Sequence, residues 1–301
     1  MKKALIVGSL NMDITARVDQ LPKLGETIFG TSFYKSCGGK GANQAVAISK
    51  MGIETIMLGM VGNDSDGYEL IENLSKHNIK SSVIVSNEIT GRAIITVDNN
   101  GNNNIIVIPG ANFKITKEDI DKKMDIINEV DVVILQNEIP LDITKYVLKK
   151  SKELNKITVF NPAPAYKFEK EIYENVDFLI LNETEFEFIF DVKYNDTNAI
   201  LSIKDKFGIS NLLLTLGELG SILFTNNNIL VQEALKVKAI DTTAAGDAFI
   251  GSFISKIINN NSLESALKFA TTVSAIVVTK KGAQESIPTL DEVNEYIIGV
   301  N

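Results

Sequence analysis

The stretch from Val130 to Phe160, VDVVILQNEIPLDITKYVLKKSKELNKITVF, contains the pattern that decides the fold. It begins with an apolar run at Val130–Leu135 and ends with another at Ile157–Phe160. Neither run alternates with polar residues as a half-exposed strand would. Between them, Ile143–Leu154 carries apolar residues at helical spacing. Two buried strands separated by a helix predict a crossover unit with parallel strands.

The same alternation extends over most of the chain. Further apolar runs predict strands at Ala4–Leu10, Val176–Leu181 and Leu212–Leu216, and further helical patterns lie at Glu118–Asn128 and Ala199–Phe207. The sequence therefore predicts an α/β protein with a mainly parallel central sheet flanked by helices.

Two regions, residues 13–34 and 92–108, interrupt this rhythm with shorter alternating segments. Within the second, the turn Asp98–Asn102 lies between Arg92–Val97 and Ile105–Ile108, which predicts a hairpin. We expect both regions to form a small, largely antiparallel sheet that closes over a ligand or pairs with a second subunit. An extension of the main sheet's edge fits the pattern equally well. A single domain of residues 1–301 with this inserted lid is the simplest organisation.

Composition excludes several classes of function. The 301 residues include 38 acidic and 30 basic side chains, a formal net charge of −8, with no basic run that would bind nucleic acid. The single cysteine, Cys37, excludes an internal disulfide and a multi-cysteine metal site. No apolar run approaches the length of a membrane span, and the first apolar stretch is too short for a signal peptide. We therefore expect a cytoplasmic protein with neither a nucleic-acid nor a membrane partner.

The segment DTTAAGDAF, Asp241–Phe249, precedes the helical pattern of Ile250–Ile258. Its small residues Ala244, Ala245 and Gly246 occupy the first turn of that helix, where backbone N–H groups have no intrahelical partner. Unpaired N–H groups and the helix dipole together predict an anion-binding pocket that a phosphate can approach closely.

Asp247 lies in the same turn. A carboxylate there can accept the proton of a hydroxyl group that attacks a phosphorus atom held by the neighbouring amides. On this segment alone, an acidic residue that merely interacts with the helix dipole is the alternative.

A second motif is the glycine cluster GGKGAN, Gly38–Asn43. It is no Walker A loop, because Gly41 follows Lys40 where that motif needs Ser or Thr. Lys40 offers hydrogen-bond donors and Asn43 offers both donors and acceptors, which suits a polyhydroxylated ligand. A purely structural glycine turn is the alternative for this motif alone.

Polar residues also follow two predicted strands, where open α/β sheets bind ligands. Asn182 and Glu185 come directly after Val176–Leu181 and could hold water molecules around Mg²⁺. An ordinary polar turn is the alternative. The segment TLGELG, Thr215–Gly220, follows the next strand and offers glycines for a nucleotide to lie against.

These motifs, in this order, resemble the ribokinase family of sugar kinases, the PfkB-type carbohydrate kinases. The resemblance covers essentially the whole chain, and the segment Asp241–Phe249 is highly specific for the family. It rests on Gly8–Asp13, Gly38–Asn43, Asn161–Ala165, Asn182–Glu185, Asp241–Asp247 and Lys281–Ser286. It implies a three-layer α/β fold with a small β-sheet lid, transfer of a phosphoryl group from ATP to the 5-hydroxyl of D-ribose, and a homodimer formed through the lid.

The resemblance also implies roles for individual residues. Asp247 would be the catalytic base, beside the amides of Ala244, Ala245, Gly246 and Asp247. The sugar would be bound by Asn11, Asp13, Gly39, Lys40, Asn43, Glu138 and Asp247. ATP would contact Asn182, Thr215, Gly217, Gly220, Gly246 and Thr271. Glu185 would organise Mg²⁺ through water, and a K⁺ ion would lie among Asp241, Thr243, Val277, Lys280, Gly282 and Ser286.

Two positions bear on the choice of substrate and nucleotide. Thr271 stands where relatives often carry Asn or His near the adenine. Asn11 stands where it can meet a ring hydroxyl and where deoxyribose-specific relatives tend to lose the asparagine, so the resemblance favours ribose over deoxyribose. A buried polar group without its partner hydroxyl costs roughly 1–3 kcal/mol, which is enough for discrimination. A related kinase acting on deoxyribose, a ketohexose or a nucleoside such as adenosine is the nearest alternative. A sugar sensor without catalysis is a remote one, since the chain keeps Asp247 and the small residues before it.

Overall fold

The structure, a computed structural model, describes residues 2–300, within which the chain forms fifteen β-strands and ten α-helices. The strands are β1 (Lys3–Val7), β2 (Asn11–Val18), β3 (Gly30–Gly38), β4 (Glu54–Leu58), β5 (Met60–Gly62), β6 (Ile79–Ser81), β7 (Ile84–Ser86), β8 (Gly91–Val97), β9 (Asn103–Ile108), β10 (Val132–Gln136), β11 (Ile157–Asn161), β12 (Phe178–Asn182), β13 (Asn211–Thr215), β14 (Ser221–Phe224) and β15 (Ile229–Gln232). The helices are α1 (Lys40–Lys50), α2 (Ser65–Lys76), α3 (Lys117–Asp121), α4 (Met124–Glu129), α5 (Leu141–Glu153), α6 (Glu183–Phe190), α7 (Thr197–Phe207), α8 (Ala245–Ile258), α9 (Leu263–Val278) and α10 (Leu290–Val300).

The main sheet has nine strands in the order β15-β14-β13-β12-β11-β10-β1-β4-β6. The seven strands from β13 to β6 are mutually parallel, and the edge pair β14 and β15 is added antiparallel. The predicted crossover unit is β10-α5-β11, whose strands pair in parallel. The mainly parallel sheet predicted from the sequence is confirmed.

Helices cover both faces of this sheet. Along β1, Ala4 and Ile6 pack into one core with residues of α1, α8 and α9, whereas Leu5 and Val7 pack into a second core with residues of α5 and α6. Because successive side chains of a strand point to opposite faces, strands buried on both sides need apolar residues at every position. The layers are therefore helix, sheet and helix, as the resemblance implied.

A separate four-stranded sheet, here called the small sheet, has the order β3-β2-β8-β9. The predicted hairpin is confirmed as β8 and β9, and β2 also pairs antiparallel with β3. The central pair, β2 and β8, is parallel. Since no strand of the small sheet pairs with a strand of the main sheet in the described residues, an extension of the main sheet's edge is the wrong alternative.

A buried carboxylate links the small sheet to the main body. Asp66, in the first turn of α2, accepts hydrogen bonds at 2.8 Å from Lys35 on β3 and from Arg92 on β8. Its side chain is only 3% exposed. A charge so well buried must be paired, and here two cations from different strands pair with it.

One predicted helix is wrong in part. The segment Glu118–Asn128 forms two short helices, α3 and α4, because Lys123 N–H donates to the carbonyl of Ile120 at 2.8 Å and closes a tight turn. Lys123 itself has ψ 11° and does not continue the helix. None of the helices in residues 2–300 has the length and apolar character required to cross a membrane.

Candidate active site

Polar side chains collect at the carboxyl edge of the main sheet. Parallel register places the last residues of neighbouring strands side by side: Gln136 opposite Asn161, and Asn182 opposite Thr215. Asn11 begins the strand that follows β1, and only three residues separate the two strands. The topology therefore brings these segments to one edge, where open α/β sheets bind their ligands.

Helix α8 begins at this edge with free amide groups. Ala244 precedes the helix in the left-handed conformation, with φ 60°. Within residues 2–300 the N–H groups of Ala244, Gly246 and Asp247 make no hydrogen bond, whereas Ala245 N–H donates to the carbonyl of Thr242 at 3.2 Å. Three of the four predicted amides therefore remain available for an anion.

Asp247 is 8% exposed and both of its carboxylate oxygens are held. Its Oδ1 accepts a hydrogen bond from Gln44 Nε2 at 2.9 Å, and its Oδ2 accepts one from Asn43 Nδ2 at 3.1 Å. Both donors come from α1, which packs against α8. The predicted base thus has a fixed orientation, and one of its two partners, Asn43, belongs to the predicted sugar-binding set.

The glycine cluster brings β2 against the start of α1. Gly39, with φ 91°, lies so close to the backbone that a Cβ atom would be 2.7 Å from Asn11 N. A Cβ atom on Gly38 would be 2.2 Å from Asp13 Oδ2. Both glycines therefore serve the close approach of the chain to itself, and they place Asn11 and Asp13 beside Lys40.

Asn11 and Glu138 are oriented by neighbours. Asn11 is buried, and its Oδ1 accepts a hydrogen bond from Asn112 Nδ2 at 2.8 Å, which leaves the Asn11 amide nitrogen as a donor. Glu138 Oε2 accepts hydrogen bonds from the hydroxyl of Ser9 and from Lys40 N–H, the latter at 3.1 Å. The other oxygen of Glu138 makes no hydrogen bond in the described residues.

Three carboxylates, those of Asp13, Glu138 and Asp247, lie near one another in this region. The carboxylate of Asp13 makes no hydrogen bond among residues 2–300, and burial, with the nearby charges of Glu138 and Asp247, raises its pKa to about 7. Burial alone would lower the pKa of Lys40, but Asp247, Glu138 and Glu185 outweigh it, so the pKa of Lys40 lies above its ordinary value. Hydroxyl donors of a sugar would relieve the crowding of these carboxylates.

We expect Asp13→Asn to stabilise the sugar-free protein increasingly as the pH rises. The unfolded chain releases the Asp13 proton above about pH 4 and the folded protein only near pH 7. Asp13 therefore stabilises the fold at low pH, and this contribution is lost as the pH rises toward 7. The difference in the free energy of unfolding between the variant and the wild type should grow by on the order of 2 kcal/mol between about pH 5 and about pH 8.

Urea unfolding across this range, without sugar, measures the difference. Asp142→Asn, which removes an exposed carboxylate from α5, is the control for the loss of one negative charge. A constant difference between Asp13→Asn and the wild type would mean that Asp13 titrates at its ordinary pKa in the folded protein.

The predicted nucleotide residues lie around the ends of β12 and β13. Asn182 and Glu185 form a capping box: Asn182 Oδ1 accepts from Glu185 N–H at 2.8 Å, and Glu185 Oε2 accepts from Asn182 N–H at 2.9 Å. Burial raises the pKa of Glu185, against the opposite effects of the Asn182 N–H and Lys40. One oxygen of Glu185 makes no hydrogen bond in the described residues.

Further predicted nucleotide residues lie in the turn after β13 and on helix α9. A Cβ atom on Gly217 would meet nothing within 4 Å, so this glycine borders open space. Gly220 differs, because a Cβ atom there would be 2.0 Å from the carbonyl oxygen of Gln232, and its packing alone accounts for the glycine. Thr271 is buried on α9, and its hydroxyl has no hydrogen-bond partner in residues 2–300.

The predicted cation residues come from three segments that Asp241 joins. Asp241 Oδ1 accepts from Thr243 N–H at 2.9 Å and from its hydroxyl, and Oδ2 accepts from Gly282 N–H at 3.0 Å. Asp241 N–H donates to the carbonyl of Val278 at 3.2 Å, beside Val277 at the end of α9. Burial would raise the pKa of Asp241, but the hydrogen bonds that its carboxylate accepts from Thr243 and Gly282 outweigh this effect. The pKa of Asp241 therefore lies below its ordinary value.

The other two members of the set are also close to this junction. The ammonium group of Lys280 pairs with Glu292 at 3.4 Å and is itself a cation, so Lys280 could serve as a ligand only through its carbonyl. The hydroxyl of Ser286 donates to the carbonyl of Ala283 at 2.7 Å. A cavity of about 520 Å³ separates the small sheet, including Asp13, from Asp241 and Gly282.

Sequence reasoning missed a set of buried amides behind the site. Gln44 donates to Asp247, and Gln284 Nε2 donates to Asn43 Oδ1 at 3.0 Å. Gln284 lies within Lys281–Ser286 and Gln44 directly follows Gly38–Asn43, yet neither was assigned a role. Gln44 is a polar residue among the buried Ala42, Ala45 and Val46 of α1, and that contrast was the available signal.

Comparisons with known proteins agree with this geometry. Residues 1–290 match the model of the pfkB family of carbohydrate kinases. A ribokinase from Staphylococcus aureus is 37% identical over 300 residues, covering 97% of this chain and 99% of that protein. A deoxyribokinase from Salmonella typhi is 35% identical over 299 residues, covering 97% of each chain. A ribokinase structure from Arabidopsis thaliana, complexed with ribose and ATP, superposes with a TM-score of 0.89 at 30% identity and 98% coverage of both chains. The chain therefore belongs to the pfkB family of carbohydrate kinases.

Proposed function

We propose that the chain transfers the γ-phosphoryl group of ATP to the 5-hydroxyl of D-ribose. One observation carries the proposal: the carboxylate of Asp247 lies in the same helical turn as unpaired amide groups and is held by Asn43. A base and an anion pocket in one turn can act on the two reacting groups of a phosphoryl transfer. The ribose and ATP complex of the Arabidopsis relative supports the choice of both ligands.

In the proposed step, Asp247 accepts the proton of the 5-hydroxyl as that oxygen attacks the γ-phosphorus. A bond forms between the sugar oxygen and phosphorus, the bond from phosphorus to the β,γ-bridging oxygen breaks, and ADP leaves with that electron pair. The N–H groups of Ala244, Gly246 and Asp247 would face the transferred group and stabilise its charge. Orientation of the hydroxyl by the surrounding sugar-binding residues supplies the positioning on which such transfers depend.

Ribose is favoured over deoxyribose by Asn11. Asn112 occupies the Asn11 Oδ1, so the Asn11 amide nitrogen is left to donate toward the sugar. A sugar that lacks the partner hydroxyl would leave this buried donor unpaired. Because a deoxyribokinase, at 35% identity, is as similar to the chain as ribokinases at 32–37% identity are, deoxyribose remains the second candidate substrate.

The residues present also fit the two proposed cations. Glu185 retains a carboxylate oxygen without a hydrogen-bond partner in the described residues, which suits Mg²⁺ bound through water beside ATP phosphates. Asp241 with the carbonyls at the end of α9 and of the loop 280–286 forms an oxygen-rich junction that suits K⁺. Bound there, Mg²⁺ would neutralise phosphate charge and K⁺ would stabilise the loop beside the anion pocket.

The small sheet is proposed as a lid and as a dimer contact in a cytoplasmic enzyme. Asp13 lies on β2 of this sheet, so movement of the sheet would move a predicted sugar ligand. Apolar residues on it are more than 40% exposed, among them Phe33, Ile105 and Ile106. Exposed apolar side chains of this kind support pairing with a second copy.

We expect ribose to be the best acceptor in a comparison of ribose, deoxyribose, fructose and adenosine. ATP turnover with each acceptor, at saturating Mg²⁺ and with or without potassium, is the measurement. Ribose should exceed deoxyribose in kcat/KM by about tenfold or more, because the Asn11 donor loses its partner in deoxyribose. Potassium should increase turnover.

Asn11→Ala is the matched variant, and it should bring ribose and deoxyribose to similar kcat/KM values. Turnover with another acceptor but not with ribose would contradict the substrate and leave the kinase activity intact. Ribose binding without turnover of any acceptor would instead identify a sensor.

A further inference from the structure

Gln44 contacts the proposed base but belongs to none of the predicted binding sets. It is fully buried on α1, next to Asn43, and its Nε2 donates to Asp247 Oδ1 at 2.9 Å. The same nitrogen donates to Asn161 Oδ1 at 3.3 Å, so each of its two hydrogens has an acceptor. Its Oε1 accepts from Gln136 Nε2 at 2.6 Å. Gln44 is therefore completely engaged on the protein side of Asp247.

Chemistry at both ends fixes the direction of this network. An ionised Asp247 only accepts, so the nitrogen of Gln44 must face it and the oxygen of Gln44 must face Gln136. At the other end, Asn161 Nδ2 donates to the carbonyl of Ile180 at 2.9 Å, which turns Asn161 Oδ1 toward Gln44. Neither amide can flip without leaving two donors or two acceptors facing each other.

Gln136 contains a buried oxygen that destabilises the fold. Its Oε1 is buried and has no partner in residues 2–300, and an unsatisfied buried acceptor is destabilising. An apolar residue at the end of β10 would avoid that cost. The role of Gln136 is to donate a hydrogen bond to Gln44, because this bond holds the Gln44 nitrogen toward Asp247.

The two oxygens of Asp247 face different surroundings. On the Oδ1 side stands Gln44, which is fully buried, whereas on the Oδ2 side stands Asn43, which remains 7% exposed and lies in the predicted sugar-binding set. We propose that Gln44 is a positioning residue that holds Asp247 Oδ1, so that Oδ2 is the oxygen that receives the proton of the sugar. This inference rests on the proposed function of Asp247 as the base.

Loss of the Gln44 donor should also change the acidity of the base. Asp13, Lys40 and Glu185 are charged groups that interact with Asp247, and Gln44→Met changes none of them. A hydrogen bond donated to a carboxylate favours its ionised form, so removing the bond favours the protonated form. The acid limb of the kcat profile should therefore move to higher pH.

The test is the pH dependence of kcat and KM for ribose in Gln44→Met, with Asp247→Asn measured beside it. We expect kcat at neutral pH to fall by about tenfold or more, KM to stay within about threefold, and the acid limb to rise by about one pH unit. Gln44→Glu keeps the acceptor for Gln136 but opposes two carboxylates, so its acid limb should rise further. Ser151→Ala removes a buried, unpartnered hydroxyl from α5 on the opposite face of the sheet and should leave the profile unchanged.

The possible results separate the two proposals. An acid limb that stays in place in both Gln44 variants, or a raised KM with unchanged kcat, would overturn the positioning role. If Gln44→Met is too unstable to assay, as judged by its melting temperature, Gln44→Glu decides by the same criterion. A wild type that does not phosphorylate ribose, or an Asp247→Asn variant that does, would overturn the proposed function itself.

Discussion

Asp247→Asn should lower kcat for ribose by roughly 10²–10⁴-fold, because a general base contributes about this much to the rate. The amide of asparagine cannot take the proton of the 5-hydroxyl at neutral pH. KM for ribose should change by no more than a few-fold, since the other sugar-binding side chains remain in place. Steady-state kinetics with ATP and ribose, with ribose binding measured separately by calorimetry, tests both expectations.

The substitution also has a structural cost that the measurement must separate from catalysis. Gln44 and Asn43 each donate to one oxygen of Asp247, whereas an asparagine offers only one oxygen. One of the two donors would face an NH₂ group and lose its acceptor, which costs about 1–3 kcal/mol in a buried site. We therefore expect a lower melting temperature but a folded protein.

Glu264→Gln is the charge-matched control for this variant. It removes one exposed carboxylate from the start of α9, which follows the end of α8, whereas Asp247 lies in the first turn of α8. Its kcat should remain within about threefold of the wild type. Turnover of Asp247→Asn within the same range would exclude Asp247 as the base, whatever the stability of the variant.

Several features of the fold followed directly from local patterns in the sequence. The apolar runs of β1 and β10 are buried on both faces, and a run without polar alternation is the direct signature of that position. The hairpin of β8 and β9 was equally predictable, because asparagine and glycine tolerate the turn between Asp98 and Asn102. Such signals are local, and the packing of the rest of the chain does not alter them.

Features that depend on contacts between distant segments were less predictable. The break between α3 and α4 falls at Lys122 and Lys123, and no residue there marks the end of a helix. The parallel pairing of β2 with β8 joins strands 80 residues apart, at Asn11 and Gly91, and alternation within each strand carries no information about its partner. The separation of the small sheet from the main sheet was therefore undecided until the structure was known.

In the candidate active site, too, features set by local sequence were predictable and features set by distant contacts were not. The unpaired amides at the start of α8 were predicted, because small residues before a helical pattern determine them locally. The amides that orient Asp247 were not, since Gln44 and Gln136 meet only when α1 packs on the sheet. Even within the predicted pocket, the bond from Ala245 N–H to the carbonyl of Thr242 depends on the left-handed conformation of Ala244, which its residue type does not favour.

Gly246→Ala should leave the fold intact and strongly reduce ATP turnover. A Cβ atom on Gly246 would meet no atom within 4 Å in the protein, and alanine has a better helix propensity than glycine. The melting temperature should therefore stay the same or rise. A methyl group at this position would, however, occupy space that the proposed phosphate needs beside the unpaired amides. We expect kcat/KM for ATP to fall by about 10²-fold or more, as with the loss of a group that stabilises developing charge.

Gly251→Ala, on the same helix, is the matched control with the opposite behaviour. A Cβ atom there would lie 2.5 Å from the Cβ of Ala47 and 2.9 Å from the Ile48 nitrogen, so α1 and α8 would have to move apart. Overpacking of this kind costs about 1–3 kcal/mol and should lower the melting temperature without a selective effect on ATP. If Gly246→Ala instead retained wild-type kinetics, the open space at the start of α8 would not be the phosphate site, because a methyl group cannot share that space with a bound anion.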